Sequence, residues 1–408
     1  MTPDNPHFSL APRSAIQSLG ASRIREVANA GLGRDDVIPF WFGEPDEVTP
    51  EFIRLAAKAS IDAGETFYSH NLGLPDLRAA IADYVTRFHG KTDVNHIAVS
   101  SSGVSALMLI AQLLFNPGDR VVAVTPLWPN LVEIPKILGA EVISVPLELN
   151  TTSLHPAWEL NLEHLLRALT PNTKALLLNS PNNPTGWMIT RAEQEILLAH
   201  CRKHGIWLIA DDVYERLVYS TPMTNLQCAP SFLDISDRDE RVISVNSFSK
   251  SWLMTGWRLG WMQIPTELMH GLGKLIEYNT SCAPVFIQRA GVVAIEQGEA
   301  IITRTQARYT AARDFLVTRL SEPYFRDAGL IVPSPQAAMY LFFKIQGATD
   351  TLALCKRLVT EAGLGLAPGS AFGPEGEGAI RWCFASSLDK LDLGCQRLQH
   401  FLEAQKKN

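Results

Sequence analysis

The feature of this sequence that most clearly could carry out chemistry is a lysine surrounded by hydroxyl groups and an arginine. Lys250 follows the apolar, β-branched run Arg241–Val245, which predicts a buried strand. Three serines, among them Ser247, lie within three residues of this lysine, and Arg258 follows eight residues later. A lysine amine held out of water can attack a carbonyl carbon, while hydroxyls and a guanidinium can bind a phosphate. Most loop lysines are simply solvated, so the rest of the chain has to decide between the two interpretations.

The elements that must position this lysine alternate between strand and helix. Short apolar runs without polar alternation predict strands that are buried on both faces: His96–Ser100, Arg120–Val124, Glu141–Val145, Lys174–Leu178, Ile206–Ala210 and Arg241–Val245. Helical stretches separate these runs. The alternation predicts an α/β fold whose large domain has a mostly parallel sheet covered by helices on both faces. In such a fold, ligands bind beyond the carboxyl ends of the strands.

Residues suited to an anionic, aromatic ligand follow several of these predicted strand ends. Ser102, Gly103 and Val104 open a helix, where backbone N–H groups and the helix dipole favour an anion, although a simple helix cap gives the same pattern. Trp128 follows the next strand and either stacks on a ring or fills the core. Asp211 ends an apolar strand, where a carboxylate is costly without a partner. These groups are expected to meet at one edge of the sheet.

The motifs at the strand ends resemble those of the class I/II aminotransferases, which are pyridoxal-phosphate (PLP) enzymes of the aspartate-aminotransferase fold (fold type I). The Asn-Asn-Pro-Thr-Gly run at 182–186 is similar to the Asn-Pro-Thr-Gly loop of that family. Asp211 and Tyr214 match its Asp-x-x-Tyr motif, and Lys250 matches its lysine signature. The resemblance covers nearly the whole chain from Ser14 onward.

The resemblance implies a role for each matched residue in a PLP site. Lys250 would hold PLP as a Schiff base, and Asp211 would keep the pyridine nitrogen protonated so that the ring withdraws electrons. These two residues and Tyr214 would be the catalytic ones. The other cofactor contacts implied are Ser102, Gly103, Val104, Ser247 and Arg258 at the phosphate, Trp128 on the ring, and Asn183 with Tyr214 at the phenolic oxygen.

Three further matches concern the substrate and a second subunit. Tyr68 resembles the family tyrosine that reaches the phosphate of the neighbouring subunit, which implies a homodimer with shared active sites. Gly43 belongs to a Gly-Glu-Pro-Asp segment similar to the family's substrate loop, and Asn183 would also contact substrate. Arg381 matches the arginine that binds the substrate α-carboxylate, a planar group suited to bidentate binding. The alternative for Arg381 is an internal salt bridge.

The chain is predicted to fold as three regions. Residues 1–49 would form an N-terminal arm and part of the small domain, residues 50–285 the large PLP-binding domain, and residues 286–408 a smaller α+β domain. Continuous helices are predicted over Ser14–Ala30 and from Val285 to about Leu320, because their apolar residues recur at helical spacing.

The predicted function is PLP-dependent transfer of an amino group from an L-amino acid to a 2-oxo acid through the Lys250 Schiff base, with ping-pong kinetics. That role needs a lysine pKa of ~7–8, well below the usual ~10.4. A PLP-dependent β-lyase of the cysteine-S-conjugate type, with the same fold and site residues, is the alternative. A weaker alternative is a non-catalytic protein of the PLP fold that binds ligands or has a regulatory role.

The substrate side chain is less well determined by the sequence. Contacts to it are expected near Trp41 and in the segments 252–255, 279–282 and 337–340. The family often has glycine near the alanine pair 337–338, where alanine would add bulk beside the substrate. No second arginine is dedicated to the side chain of a dicarboxylic substrate, unless Arg289 has that role. The lack of such an arginine favours a substrate with a neutral or aromatic side chain.

Composition excludes several other classes of protein. The 408 residues carry a net charge of −6 and show no basic stripe for nucleic acid. The six cysteines are scattered without a C-x-x-C pair, which is typical of reduced thiols. No apolar run approaches membrane-spanning length, and the first residues have no signal-peptide pattern. A cytoplasmic protein is therefore expected. His200 and His204 share a helix face but lack a third ligand, so no metal site is predicted there.

Overall fold

Helices and strands alternate along most of the chain, as the sequence predicts. A computed structural model describes residues 11–152, 156–219 and 228–406, so most of the predicted N-terminal arm lies outside the described residues. The helices are α1 Ser14–Gln17, α2 Arg23–Ala30, α3 Glu51–Asp62, α4 Pro75–His89, α5 Gly103–Leu114, α6 Pro129–Ile137, α7 Leu162–Ala168, α8 Arg191–His204, α9 Thr266–Glu277, α10 Val285–Gln297, α11 Glu299–Leu320, α12 Pro323–Asp327, α13 Thr351–Ala362 and α14 Leu388–Lys406.

The strands belong to two main sheets and two small pairings. They are β1 Ile38–Pro39, β2 Ile97–Ser100, β3 Arg120–Thr125, β4 Glu141–Pro146, β5 Glu148–Asn150, β6 Ala157–Glu159, β7 Thr173–Asn179, β8 Trp207–Asp211, β9 Val242–Ser247, β10 Gly260–Gln263, β11 Leu330–Ile331, β12 Tyr340–Ile345, β13 Leu364–Gly365, β14 Ala367–Pro368 and β15 Ala379–Cys383. No helix among the described residues has the length and apolar character that crossing a membrane requires.

The large sheet has seven strands in the order β2-β10-β9-β8-β7-β3-β4. All neighbours are parallel except β10, which runs antiparallel to both β2 and β9. The predicted mostly parallel α/β sheet is therefore confirmed. The sequence analysis missed β10 because it is only four residues long and begins with Gly260. That glycine is needed, since a Cβ there would lie 2.6 Å from the backbone nitrogen of Gly103.

The smaller sheet is antiparallel, in the order β11-β12-β15-β14, which confirms a second, smaller α+β unit. The N-terminal strand β1 pairs in parallel with β13, and its residue Ile38 is opposite Leu364. The segment just before Gly43 is therefore hydrogen-bonded to the C-terminal part of the chain. This connection carries the Gly43 loop to the carboxyl edge of the large sheet.

Two predicted helices are each divided into two. The helix expected over Ser14–Ala30 is interrupted between α1 and α2, because the Ser22 side chain caps a new helix by accepting a hydrogen bond from the Arg25 backbone nitrogen at 3.3 Å. The stretch from Val285 onward is divided at Gly298 into α10 and α11. Helical periodicity continues across both breaks, which is why the sequence pattern alone did not reveal them.

Candidate active site

One cavity of about 450 Å³ lies beyond the carboxyl ends of the central strands. The predicted site residues that line it are Gly43, Gly103, Val104, Trp128, Asn183, Asp211, Tyr214, Ser247, Lys250, Arg258 and Arg381. This cavity is called the cofactor pocket below. The parallel strands end at the same edge of the sheet, so residues far apart in sequence converge there. Ser102 is buried directly behind the pocket, whereas Tyr68 lies outside it and is 89% exposed.

Lys250 lies in the turn that follows β9, and its amine projects into the cofactor pocket. Its Nζ donates a hydrogen bond to the backbone oxygen of Gly43 and lies 5.8 Å from the centroid of the Tyr214 ring. Burial, together with the nearby Arg381 and Arg258 guanidinium groups, lowers the pKa of Lys250 to about 8. About a tenth of the amine is therefore neutral at pH 7, far more than for an ordinary lysine, and the neutral form is the one that acts as a nucleophile or general base.

Asp211 ends β8 with a buried carboxylate that lacks a cationic partner. Its Oδ1 accepts only a long hydrogen bond, 3.4 Å, from the Val213 backbone nitrogen. Burial and the neighbouring Asp212 carboxylate raise the pKa of Asp211 to about 7. No described lysine, arginine or histidine forms an ion pair with Asp211. A protonated ring nitrogen in the pocket would satisfy this carboxylate.

Asp212, the next residue, is the wrong-register alternative to Asp211 in the Asp-x-x-Tyr match, and the sequence predicts that it is exposed. The structure shows otherwise. Its side chain points away from the cofactor pocket but is buried, with 4% of the residue exposed. It accepts hydrogen bonds from the hydroxyls of Ser244 at 2.7 Å and Ser231 at 3.0 Å. Burial and the nearby Glu215 carboxylate nevertheless raise the pKa of Asp212 to about 7. The two adjacent aspartates therefore share a raised pKa but have different hydrogen-bond partners.

The loop after β7 is fixed by two asparagines. The Asn179 side chain donates to the Asp211 backbone oxygen at 3.0 Å and accepts from the Asn183 backbone nitrogen at 2.7 Å. The Asn183 side-chain oxygen accepts from Arg381 at 3.1 Å. Sequence reasoning missed Asn179 as a site residue, although it is the residue that ends its strand and the strand-end test would have found it.

Arg381 lies in the middle of β15 and is 2% exposed. Besides the bond to Asn183, its guanidinium donates to the Trp41 backbone oxygen and lies 4.5 Å from the Tyr340 ring centroid. Its Nε has no hydrogen-bond partner. Within the described part of the chain no acidic side chain pairs with Arg381, so the internal salt bridge considered as an alternative does not form. A buried arginine without an anion is suited to bind one.

The N-terminus of α5 lies at one end of the pocket, where Gly103 and Val104 line it. Ser102 caps this helix, since its Oγ accepts from the Ser105 backbone nitrogen at 3.1 Å, and Ser102 has the unusual φ of 128°. The Ser247 hydroxyl lies across from Gly103, whose Cβ position would be 3.4 Å from the Ser247 Cβ. Arg258 also lines the pocket. Helix N–H groups, hydroxyls and a guanidinium together fit a phosphate group.

Two tyrosines close the pocket next to the arginine. Tyr214 and Tyr340 share a hydrogen bond of 2.7 Å between their hydroxyls. Burial raises the pKa of Tyr214 well above its usual value, so its hydroxyl keeps its proton and can donate a hydrogen bond. Tyr340 also approaches Gly43 so closely that a Cβ there would be 1.9 Å from its hydroxyl. Glycine is therefore required at that position of the substrate loop.

Only some of the residues expected near the substrate side chain line the pocket. Thr255 and Tyr340, from the segments 252–255 and 337–340, do so. The Trp41 indole packs against Gly31 and Gly365, and Trp252 lies in the aromatic core against Phe248 and Trp261; neither lines the pocket. The alanine pair 337–338 is buried outside the pocket.

Arg289 does not serve the substrate either. Its guanidinium is paired with Glu65 at 2.8 Å and with Asp76 at 2.6 Å, outside the cofactor pocket. The pocket wall is instead formed in part by Ile24, Arg25 and Phe42. Sequence reasoning missed these three residues because they come from an amphipathic helix and an extended segment of the N-terminal region, which carry no motif.

The fold and the site define an α/β enzyme that brings an amine, an unpaired carboxylate, an unpaired guanidinium and a phosphate-sized anion site to one cavity. Known proteins agree with this class. Residues 35–398 match the sequence family described as aminotransferase class I and II. The chain is 31% identical over 402 residues to an aspartate aminotransferase of Pyrococcus abyssi, covering 97% of this chain and 100% of that protein. It is 29% identical over 402 residues to aromatic-amino-acid aminotransferase 2 of Thermococcus litoralis, with the same coverage.

Structural similarity supports the same conclusion. The crystal structure of aspartate aminotransferase from Thermotoga maritima matches with a TM-score of 0.85 at 31% identity, covering 96% of this chain and 100% of that one. The chain belongs to the class I and II aminotransferase family, and its activity is that of an aminotransferase. The family resemblance drawn from the strand-end motifs is thus confirmed.

Proposed function

We propose that the protein is a PLP-dependent aminotransferase in which Lys250 holds the cofactor. The observation that carries this proposal is the pair of uncompensated buried charges, Asp211 and Arg381, which share one pocket with a lysine of lowered pKa. Buried charges are normally paired, so a pocket with two unpaired ones indicates that bound groups complete it. The other aminotransferases named above support the same activity.

The residues present fit PLP. Asp211 provides the anionic partner that a protonated pyridine nitrogen needs, and Lys250 provides the amine for its aldehyde. The remaining contacts proposed are Ser102, Gly103, Val104, Ser247 and Arg258 for the phosphate, Trp128 against the ring face, and Asn183 with Tyr214 at the phenolic oxygen. When bound, the cofactor supplies an electron sink for the charge that develops at the substrate α-carbon.

Lys250 is proposed to move the α-proton of the substrate. Its amine has a pKa of about 8, which burial lowers from the usual value, so it can accept a proton near neutral pH. The backbone oxygen of Gly43 accepts a hydrogen bond from Nζ, which places the amine next to the predicted substrate loop. Asp211 and Tyr214 complete the proposed catalytic set.

Arg381 is proposed to bind the α-carboxylate of the amino acid and of the 2-oxo acid. Its guanidinium lines the pocket beside Asn183, and no described acidic side chain pairs with it. Gly43 and Asn183 complete this end of the substrate site. Because both substrates carry the same α-carboxylate, one arginine serves both halves of a ping-pong reaction.

A neutral or aromatic substrate side chain is the proposed preference. The part of the wall that the sequence did not predict is largely apolar, through Ile24 and Phe42, and Arg289 is occupied elsewhere. Arg25, which is exposed, adds a cation to this wall. The names of the relatives, which include both aspartate and aromatic-amino-acid aminotransferases, leave either class of donor open to test.

We also propose a homodimer in which Tyr68 reaches the phosphate site of the partner. Tyr68 is 89% exposed, and the neighbouring Phe67 is 83% exposed. Large aromatic side chains this accessible are typical of interaction surfaces. Sedimentation should give twice the chain mass. A mixture of inactive Lys250→Ala and Tyr68→Ala subunits should regain activity if the sites are shared, and no regain would contradict the shared site.

The domain division follows from packing. Helix α10 packs against α3 and α4, so we propose that the large domain extends from residue 50 to about Gly298, somewhat beyond the expected boundary at 285. Residues 11–49 and 299–406 would form the smaller domain, with β1 paired to β13. All six cysteines are unpaired, which supports the proposal that the enzyme works in a reducing compartment such as the cytoplasm.

The visible absorbance of the PLP-loaded enzyme tests the function directly. An L-amino acid added without any acceptor should bleach the band and release one equivalent of 2-oxo acid, which identifies the donor. Lys250→Ala should not bleach in this way. A stable band with continuous release of pyruvate and ammonia would contradict aminotransfer. The absence of any band after PLP addition would overturn the cofactor assignment.

A further inference from the structure

A cluster of potential metal ligands lies outside the cofactor pocket, and the proposed reaction does not use it. It consists of His89 at the end of α4, Glu215 four residues after Asp211, and Cys228. These three residues are called the His89 cluster below. We propose that the His89 cluster binds a zinc ion, with the imidazole, the carboxylate and the thiolate as its protein ligands.

The ligand atoms are close enough to share one ion. The His89 Nε2 lies 3.0 Å from the Glu215 Oε2 and 3.4 Å from the Cys228 Sγ, and all three atoms lie within 4.8 Å of one another. Metal–ligand bonds of about 2.0–2.3 Å in a tetrahedral zinc site place ligand atoms about 3.2–3.7 Å apart. The two separations measured from Nε2 lie close to these values, so only small movements are needed at these two contacts to admit the ion.

Hydrogen bonding pairs each ring nitrogen of His89 with one carboxylate and leaves the Cys228 sulfur as a second neighbour of Nε2. Both the Glu215 oxygen and the Cys228 sulfur are directed at the same nitrogen of His89. One N–H group can make only one linear hydrogen bond, so two acceptors on a single nitrogen share it imperfectly. A metal ion placed among the three atoms would satisfy all of them at once.

The groups around the cluster match the outer shell of a zinc site. The other ring nitrogen of His89, Nδ1, lies 2.7 Å from the Asp234 Oδ1, the carboxylate–histidine pairing that orients metal-bound imidazoles. The second oxygen of Glu215, Oε1, accepts a hydrogen bond of 2.6 Å from the Tyr84 hydroxyl. The atoms left for the metal are Nε2 and Oε2, and these are the two that face Cys228.

The ligand types select the metal. A thiolate with an imidazole and a carboxylate suits zinc among the abundant divalent ions, whereas magnesium and calcium prefer oxygen ligands alone. A thiolate, a carboxylate and a neutral imidazole carry two negative charges, which balance the ion. His89 and Glu215 are buried, and a neutral set is the arrangement that burial tolerates. Partly exposed Cys228 provides a route from solvent, and water would be the fourth ligand.

The proposed ion would connect parts of the chain that are distant in sequence. The Ala229 backbone nitrogen donates to the Glu215 backbone oxygen at 2.7 Å, which brings Cys228 beside Glu215. The ion would add His89 of α4 to this contact. Because Glu215 follows Asp211 and Tyr214 directly, the ion would brace the segment that carries these two pocket residues without touching the pocket itself.

Cobalt substitution and metal analysis test the proposal on the PLP-loaded enzyme. After dialysis against a chelator, the wild-type enzyme should bind one Zn²⁺ or Co²⁺ per chain, and the cobalt form should show a thiolate-to-cobalt charge-transfer band. Cys228→Ser should weaken binding by at least about 100-fold and remove the band. Tyr84→Phe should weaken binding by about 10-fold, since only an outer-shell contact is lost. Cys282→Ser removes another partly exposed thiol and should keep both stoichiometry and band.

Other outcomes would overturn the proposal. If the wild-type enzyme binds no Co²⁺, or binds Co²⁺ without a thiolate band, the cluster is a hydrogen-bonded network only. Metal retained by Cys228→Ser would place the ion elsewhere, for example at the surface pair His200 and His204, whose rings are 4.6 Å apart and offer no thiolate. The band requires sulfur, so it separates these cases even if a His89 variant does not fold.

Discussion

The cofactor pocket and the His89 cluster lie on either side of the segment that follows β8, and they treat buried charge in opposite ways. In the pocket, none of the described side chains forms an ion pair with Asp211 or with Arg381. In the cluster, His89 lies between the carboxylates of Glu215 and Asp234, at 3.0 and 2.7 Å. The pocket leaves its charged groups without partners around a cavity, whereas the His89 cluster pairs its charged groups within the protein.

The difference separates a site whose charged groups lack partners until a ligand binds from a site whose groups are already paired within the protein and are proposed to accept an ion in addition. Unpaired buried charges cost stability, and natural proteins keep them mainly where function needs them. Substitutions in the pocket should therefore remove activity with little loss of stability. Substitutions in the His89 cluster should remove stability, while activity changes little at temperatures where the protein remains folded. The predictions below test this contrast, from the largest expected effect to the smallest.

Lys250→Ala should abolish turnover, with a loss of at least about 10⁴-fold, because the residue is both the proposed attachment point and the proton carrier. The cofactor-free variant should unfold at the same temperature as the cofactor-free parent, or slightly higher. Initial rates and a thermal melt measure the two quantities. Normal turnover in Lys250→Ala would remove the proposed mechanism altogether.

His89→Gln should cost about 3–5 kcal/mol of unfolding free energy, because Glu215 and Asp234 would lose their shared partner in a buried site. Denaturant unfolding of chelator-treated protein measures this loss apart from any metal effect. His96→Gln is the matched control, since His96 faces a single, largely exposed carboxylate, Asp239, at 3.3 Å. Equal losses from the two substitutions would mean that the double pairing of His89 has no special role.

Asp211→Asn should lower kcat by about 10²–10³-fold, the usual effect of removing one electrostatic contact to developing charge. The free energy of unfolding of the cofactor-free protein should stay the same or rise, because an unpaired buried carboxylate is lost. Asp212→Asn is the control beside it in sequence: its bonds to Ser231 and Ser244 lie away from the pocket, so activity should change only a few-fold. Similar activity losses in both variants would contradict the assignment of Asp211.

The sequence predicted the pocket better than its walls. Residues such as Asp211 and Lys250 lie at or just after the ends of apolar strands. Because parallel strands end at the same edge of the sheet, the order of strands in the sequence predicts that these residues lie close together. Arg381 was also recognised, because a charge inside an apolar strand needs an explanation. The family resemblance supplied the individual roles, which strand ends alone do not provide.

The remaining features depend on packing that no local pattern encodes. Trp41 and Phe42 are adjacent apolar residues, and only the fold decides that the first packs on glycines while the second faces the pocket. Strand β10 was missed because four residues beginning with glycine give too little signal. The His89 cluster was missed because its members come from three segments with no shared motif, and Cys228 was treated as one of several scattered thiols.

The pH dependence of cofactor uptake should report the environment of Lys250. Its pKa is lowered to about 8, first by burial and further by Arg381 and Arg258, and only the neutral amine can attack an aldehyde. The rate at which cofactor-free protein attaches PLP should therefore rise about tenfold per pH unit below pH 8 and level off above it. A rate that keeps rising to pH 10 would show that the pocket does not perturb the amine.

The smallest expected effect concerns the exposed rim of the pocket. The Arg25 guanidinium lies 4.7 Å from the Phe42 ring centroid and lines the cavity, but it is open to solvent. Exposed charge pairs contribute about 0.2–1 kcal/mol, so Arg25→Gln should lower kcat/KM for a dicarboxylic donor such as aspartate only about two- to fivefold. The value for phenylalanine, which has no side-chain charge, should stay within about twofold, and high salt should reduce the difference.

Arg289→Gln is the matched control for this effect. Arg289 is already paired with Glu65 and Asp76 outside the pocket, so its loss should leave the ratio of kcat/KM for aspartate and phenylalanine unchanged. If Arg25→Gln lowered kcat/KM equally for both donors, Arg25 would act by holding Phe42 and helix α2 in place rather than by attracting a carboxylate. If Arg25→Gln lowered kcat/KM for aspartate more than tenfold, the exposed Arg25 would contribute as much binding energy as a buried charge does. The contrast between exposed and buried charge would then fail.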